Sequence, residues 1–206
     1  MKNPFTLIAL VGLSFCVTAT SPVHDSKNGP ALTKKNEPKG VHYIGEVFGG
    51  GVVFWVDHSG EHGLILSMAD LSTGYPWSNV GDALYESSND WDGRNNSKAI
   101  LGQDGHESSA ALLCDEYVNE DYGTGTYSDW YLPSISELNQ VWNHYYEVQR
   151  ALALSGNAGC DPLVRNYYWS STEYKENRAL YFVFFDGTVG YERKSRGNHV
   201  RAVRAF

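Results

Sequence analysis

Asp90, Asp92, Asn95 and Asn96, with Trp91, Gly93 and Arg94 between them, crowd hard oxygen donors into one short turn-forming stretch. Ca2+ takes about six to eight such oxygens, which makes Asp90, Asp92 and Asn95 the metal candidates. The spacing is not that of an EF-hand, and the closing Glu is absent. Asp and Asn equally build Asx-turns and helix caps, so the same residues also read as scaffolding for an irregular loop. Trp77 and Trp91 differ from the chain's other tryptophans in standing among polar neighbours. An exposed indole beside Asp92, Arg94 and Asn95 stacks on the apolar face of a sugar or peptide while amides take the hydroxyls. A second candidate surface is cationic. Residues 173–206 carry seven Lys and Arg against four acids, and Arg193, Lys194, Arg196 and Arg201 are the residues that would form a local patch for an anionic ligand.

Other constellations point less sharply. His58 and His62 are four apart beside Asp57 and Glu61, a zinc spacing on a helix, but they fall in an expected hairpin turn where two imidazoles need not converge. Ser170, Ser171, Thr172 and Glu173 follow Trp169 at a strand end, but a nucleophile requires an adjacent base and an orienting third group, and no strand-turn-helix elbow surrounds these hydroxyls. They read as hydroxyls that bond neighbouring backbone. The glycines Gly49-Gly50-Gly51 precede no helix signature, so a turn or bulge is expected there rather than a phosphate cradle.

The elements that must position these residues follow from pattern. Residues 43–47, 52–56 and 63–68 read as strands joined by a glycine turn and a polar turn. Residues 70–105 hold turn formers and little periodicity, which predicts a long irregular excursion. A helix is expected over residues 107–119, with Ala110, Leu113, Cys114, Tyr117 and Val118 inward. Pro133 biases Leu132 away from helix, and Ser134 and Glu137 have capping-box spacing, so a strand stops and a second helix starts there. Its apolar stripe runs Ile135, Leu138, Val141, Trp142, Tyr145, Val148 and Leu152. Residues 167–172 and 179–185 read as buried strands, Asp186-Gly187 as a two-residue hairpin turn, and residues 199–205 as a closing strand. The expected class is α+β: two helices packed on a twisted, mostly antiparallel sheet with a long irregular loop region.

Residues 1–19, with one charge at Lys2, an apolar run and small residues at Val17 and Ala19, read as a secretory signal peptide. Bulky Phe15 argues against acylation at Cys16. Residues 20–41 lack aromatics and read as a flexible linker, which leaves residues 42–206 as a single domain with no membrane-spanning segment. The formal charge of −8 weighs against general nucleic-acid binding. After signal cleavage Cys114 and Cys160 remain. Pairing them is the first expectation in an oxidising compartment, worth up to about 4 kcal/mol, and two separate buried thiols is the alternative.

The ordered set Asp129-Trp130-Tyr131-Leu132-Pro133-Ser134, Tyr168-Trp169-Ser170-Ser171-Thr172-Glu173 and Val200-Arg201-Ala202-Val203-Arg204-Ala205-Phe206 resembles the C-terminal domain family of Legionella collagen-like adhesins. Gly49 to Val56, Glu61-His62-Gly63-Leu64, Trp91 to Asn96 and Cys114 occur in the family's order. One departure is Tyr131, where relatives often carry Arg. The resemblance implies a fold related to C-type lectins and formylglycine-generating enzymes, and an exported, non-catalytic adhesion domain that binds a glycan or a protein at the cell surface or in the envelope. The sugar-binding Ca2+ motifs of the C-type lectins proper are missing, as is the closely spaced cysteine pair of the oxygenases. The family's named adhesins are associated with sulfated polysaccharides. A structural module of an envelope complex is the alternative, and an enzyme of unknown type a third.

Overall fold

The computed structural model describes residues 40–156 and 159–206; the expected leader at 1–19 and most of the linker lie outside the described residues. Nine strands run in chain order as β1 (Val47–Phe48), β2 (Gly51–Val56), β3 (Gly63–Ser67), β4 (Ser72–Pro76), β5 (Tyr167–Lys175), β6 (Arg178–Val183), β7 (Val189–Arg193), β8 (Gly197–Val200) and β9 (Val203–Ala205). Four helices lie between β4 and β5: α1 (Gly93–Leu101), α2 (Ala110–Asp115), α3 (Ile135–Asn143) and α4 (Tyr145–Leu154). The class is α+β, as the pattern predicts, with two mostly antiparallel sheets in place of one. Their orders are β1-β2-β3-β9 and β4-β8-β5-β6-β7.

The β1–β2 turn needs its glycines. Gly49 and Gly50 both have positive φ, 57° and 87°, and a Cβ on Gly50 would come within 2.6 Å of the Asn119 carboxamide. Alternation along β2 and β3 then feeds two cores. Val52, Phe54 and Leu66 pack with Leu138, Val141, Val148 and Leu152 of α3 and α4. Val53 and Ile65 pack with Trp77, Ile100, Ala111, Cys114 and Trp130. Period-2 strands buried on both faces read as apolar runs.

Several expectations need correction. The closing strand is two strands: Arg201 and Ala202 carry the chain from β8 in one sheet to β9 in the other. The helix expected over 107–119 is only α2, started by the Ser109 side chain, which accepts from Leu112 N at 2.9 Å. The second helix begins with the expected capping box, then breaks at His144 (φ −114°, ψ 26°) into α3 and α4. Residues 70–105 are not wholly irregular either, for they contain β4 and α1. Helix α1 is hard to see in sequence because its inward face is polar. Ser97 exchanges hydrogen bonds with the Leu132 backbone at 3.1 and 3.2 Å, and Asn96 donates to Asn89 O at 2.6 Å.

Cys114 and Cys160 are both free thiols. Cys114 lies in the core that Val53 and Ile65 face, whereas Cys160 packs against the core on the other face of β2 and β3. They belong to different cores, and no bridge joins them. Burial, then the Asp115 charge, pushes the Cys114 thiol up.

Candidate functional site

The concavity best furnished for recognition lies beside α3, a groove of about 370 Å3 lined by Trp55, Leu64, Trp91, Ser136, Glu137 and Gln140. Trp55 reaches it through a β-bulge. The β2–β3 register shifts between Val53 and Trp55, which pairs Trp55 with Leu64 and leaves it 37% exposed beside α3. Bulges commonly re-aim a side chain in this way. Trp91 arrives from the excursion and is 74% exposed. Its backbone is held: Trp91 N and Asp92 N both donate to Asn89 Oδ1, at 2.9 and 3.0 Å, and Ser136 N donates to Asp90 O at 2.9 Å. Helix α3 is thereby tied to the loop that presents the indole.

One lining residue is a buried carboxyl. Glu137 accepts from Ser134 N at 2.6 Å and from the Tyr131 hydroxyl at 2.9 Å. Burial pushes it up, partly offset by those hydrogen bonds from Ser134 and Tyr131. Gly93 explains how α1 fits against this corner: a Cβ there would lie 2.6 Å from Ser134 N and 2.8 Å from Leu132 O, and closer still to Glu137 Oε2.

The metal candidates have another role. Asp92 is the N-cap of α1, accepting from Asn95 N at 3.0 Å and from Asn95 Nδ2 at 2.6 Å. Capping was the alternative reading of this stretch, and Asp92 takes that role. Among the described residues no three His, Cys, Asp or Glu side chains gather as a metal site. Arg94 is not among the groove's lining residues; it lies 3.8 Å from Asp129, with its guanidinium 4.9 Å from the Tyr131 ring centroid.

Trp77 is not a surface residue. It is buried, donates from Nε1 to Ser170 O at 2.7 Å, and has Lys194 Nζ 4.9 Å from its ring centroid. Lys194 is buried with it, its side chain 1% exposed and 2.6 Å from the 2% exposed Glu173 carboxylate. Glu173 also accepts from Leu84 N with both oxygens, and Lys194 donates to Asp82 O at 2.6 Å. This pair pins the excursion to the second sheet; a polar loop sequence hides that role. Arg201 is likewise interior, bonded to Asp70 at 2.9 Å and to the carbonyls of Ser67, Met68 and Asp161.

The cationic patch therefore shrinks to Arg193 and Arg196, which are exposed, but strand register adds to it. Lys175 pairs with Arg178 and Arg178 with Arg193, placing three cations in a row across β5, β6 and β7. Tyr174 and Tyr191 stack beside them at 4.4 Å and 10°. The hydroxyls after Trp169 are occupied as expected: Ser170 Oγ donates to Leu180 O at 2.9 Å, and Thr172 Oγ1 donates to Asn89 O at 3.1 Å. His58 and His62 are exposed in the β2–β3 turn, which the Asp57 carboxylate organises.

Residues 67–204, well over half of the chain, match the description of the Lcl C-terminal domain. The chain belongs to the Lcl C-terminal domain family. No curated protein matches it. Membership makes this an adhesin-associated domain. Within the family match lie Trp91, α3 and the basic row, whereas β1, β2 and the bulge that turns out Trp55 precede it. Among the described residues no helix is long and apolar enough to cross a membrane.

Proposed function

We propose that this Lcl C-terminal domain is an exported, non-catalytic recognition module that binds a glycan or a protein at the cell surface or in the envelope, on a scaffold related to C-type lectins. One observation carries the reading: Trp55 and Trp91, from elements far apart in sequence, share one open groove on a helix fixed by its own capping box. Exposed indoles cost solubility, and paired on a groove they mark a contact surface. Family membership supports a partner outside the cell.

A glycan array set against a pull-down from envelope extract separates a sugar ligand from a protein one. The Trp91→Ala protein should give a weaker signal in whichever assay gives one, with its fold intact because the indole is exposed. Signal undiminished in both Trp55→Ala and Trp91→Ala removes the groove from the function. The row Lys175, Arg178, Arg193 favours a second reading, a salt-sensitive contact with a sulfated polysaccharide. Retention on heparin at low salt, lost in Arg178→Ser/Arg193→Ser, is expected on that reading, and no retention at low salt ends it.

A further inference from the structure

The proposal above leaves the ligand's chemistry open, and the cations of the domain narrow it. None of the six lining residues is Lys or Arg. The nearest arginine in sequence, Arg94, lies 3.8 Å from Asp129 and over the Tyr131 ring, and it lines a different concavity with Trp130 and Ser97. Arg204 is bound to the same Asp129 at 2.6 Å and stacks over Tyr127 at 3.9 Å. Lys194 and Arg201 are buried in ion pairs, and the exposed basic row belongs to the β5–β7 edge. The one ionisable lining residue is instead Glu137, in a chain of net charge −8. An anionic group entering here would shed water and meet no opposite charge.

What the walls do offer is apolar area from Trp55, Trp91 and Leu64, and two groups, the Ser136 hydroxyl and the Gln140 carboxamide, that can both donate and accept. The volume of about 370 Å3 is near the lower end of the roughly 300–1,000 Å3 typical of small-ligand sites. That suits a short stretch of an open chain. We infer that the groove takes a neutral β-linked pyranose chain, whose flat C–H faces stack on Trp55 and Trp91 while Ser136 and Gln140 bond its hydroxyls, and that sulfated or carboxylated sugars are excluded from it. This rests on the groove being the recognition site.

The test titrates the full chain with cellohexaose, chitohexaose and a heparin hexasaccharide, followed by tryptophan fluorescence and calorimetry. A neutral hexasaccharide should bind with little dependence on salt. Trp91→Ala should weaken it by about three- to tenfold, the range expected for one lost aromatic contact. Gln140→Lys, which places a cation in the wall, should let the heparin fragment compete with the neutral sugar. Heparin binding to the unaltered protein that Trp91→Ala abolishes overturns the inference. So does failure of both neutral sugars to bind at millimolar concentration. If Trp91→Ala then still costs capture of an envelope protein, the recognition reading survives and only the sugar assignment falls; if Trp91→Ala changes nothing in any assay, both fall.

Discussion

Replacing Lys194 with Met should damage stability and leave surface charge chemistry untouched. The ammonium is 1% exposed and satisfied by Glu173, by Asp82 O and by the Trp77 ring. Removing it strands the Glu173 carboxylate, 2% exposed, with Leu84 N as its remaining donor. Breaking one partner of a buried pair costs about 3–5 kcal/mol, a large share of the roughly 5–15 kcal/mol that holds a domain together. At about 2–4 °C per kcal/mol for a domain of this size, the midpoint falls by about 6–20 °C. Glu173→Leu should cost a similar amount, because it leaves Lys194 charged and dry. The double replacement Lys194→Met/Glu173→Leu should cost less than the sum of the two, since neither charge is left alone. The assay is urea unfolding of all four proteins followed by tryptophan fluorescence, with heparin retention measured alongside. A Lys194→Met cost below about 1 kcal/mol, or a double cost equal to the sum of the singles, would show that the pair is not the clasp its geometry describes. Loss of heparin retention with stability unchanged would return Lys194 to the surface patch.

Gly93→Ala should destabilise by about 1–3 kcal/mol, the cost of overpacking, because its Cβ has no room against Ser134 N and Leu132 O; a neutral effect on chemical unfolding would mean that α1 does not sit on the α3 cap. Glu137 gives a pH signature. Its folded pKa lies above its unfolded one, so it favours the fold below the unfolded value, and that advantage disappears as pH rises through the folded value. The stability of the unaltered protein minus that of Glu137→Gln should therefore decline as pH rises above the ordinary glutamate value of about 4, and a difference that rises with pH contradicts the burial of that carboxyl. Non-reducing mass mapping should find Cys114 and Cys160 unlinked, with the half-buried Cys160 alkylated well before the buried Cys114; a 114–160 bridge would require the two cores to be joined differently.

Much of the scaffold was legible because it depends on local rules. The Ser134–Glu137 capping box, the Asp186-Gly187 hairpin and the glycine turn before β2 each satisfy their own backbone, so sequence spacing is enough to place them. Helix α1 is not legible in sequence because Asn96 and Ser97 face inward, which removes the apolar period that betrays a buried helix. The site was legible only in half. Trp91 stood out by its polar company, but Trp55 lies in an apolar run and turns outward through a bulge that no residue type announces. Conversely, Trp77 and Lys194 look like surface residues in sequence and are each other's interior partner. Burial of a lysine depends on a carboxylate 21 positions away, which is a tertiary fact.

Hydrogen exchange by mass spectrometry, with and without whichever ligand the array or the pull-down returns, tests most directly whether recognition occurs at the Trp55–Trp91 groove. Protection is predicted over residues 89–96 and 135–141, the two segments that the Ser136–Asp90 bond ties together. Protection confined to residues 174–196, with the groove exchanging as in the free protein, would contradict it.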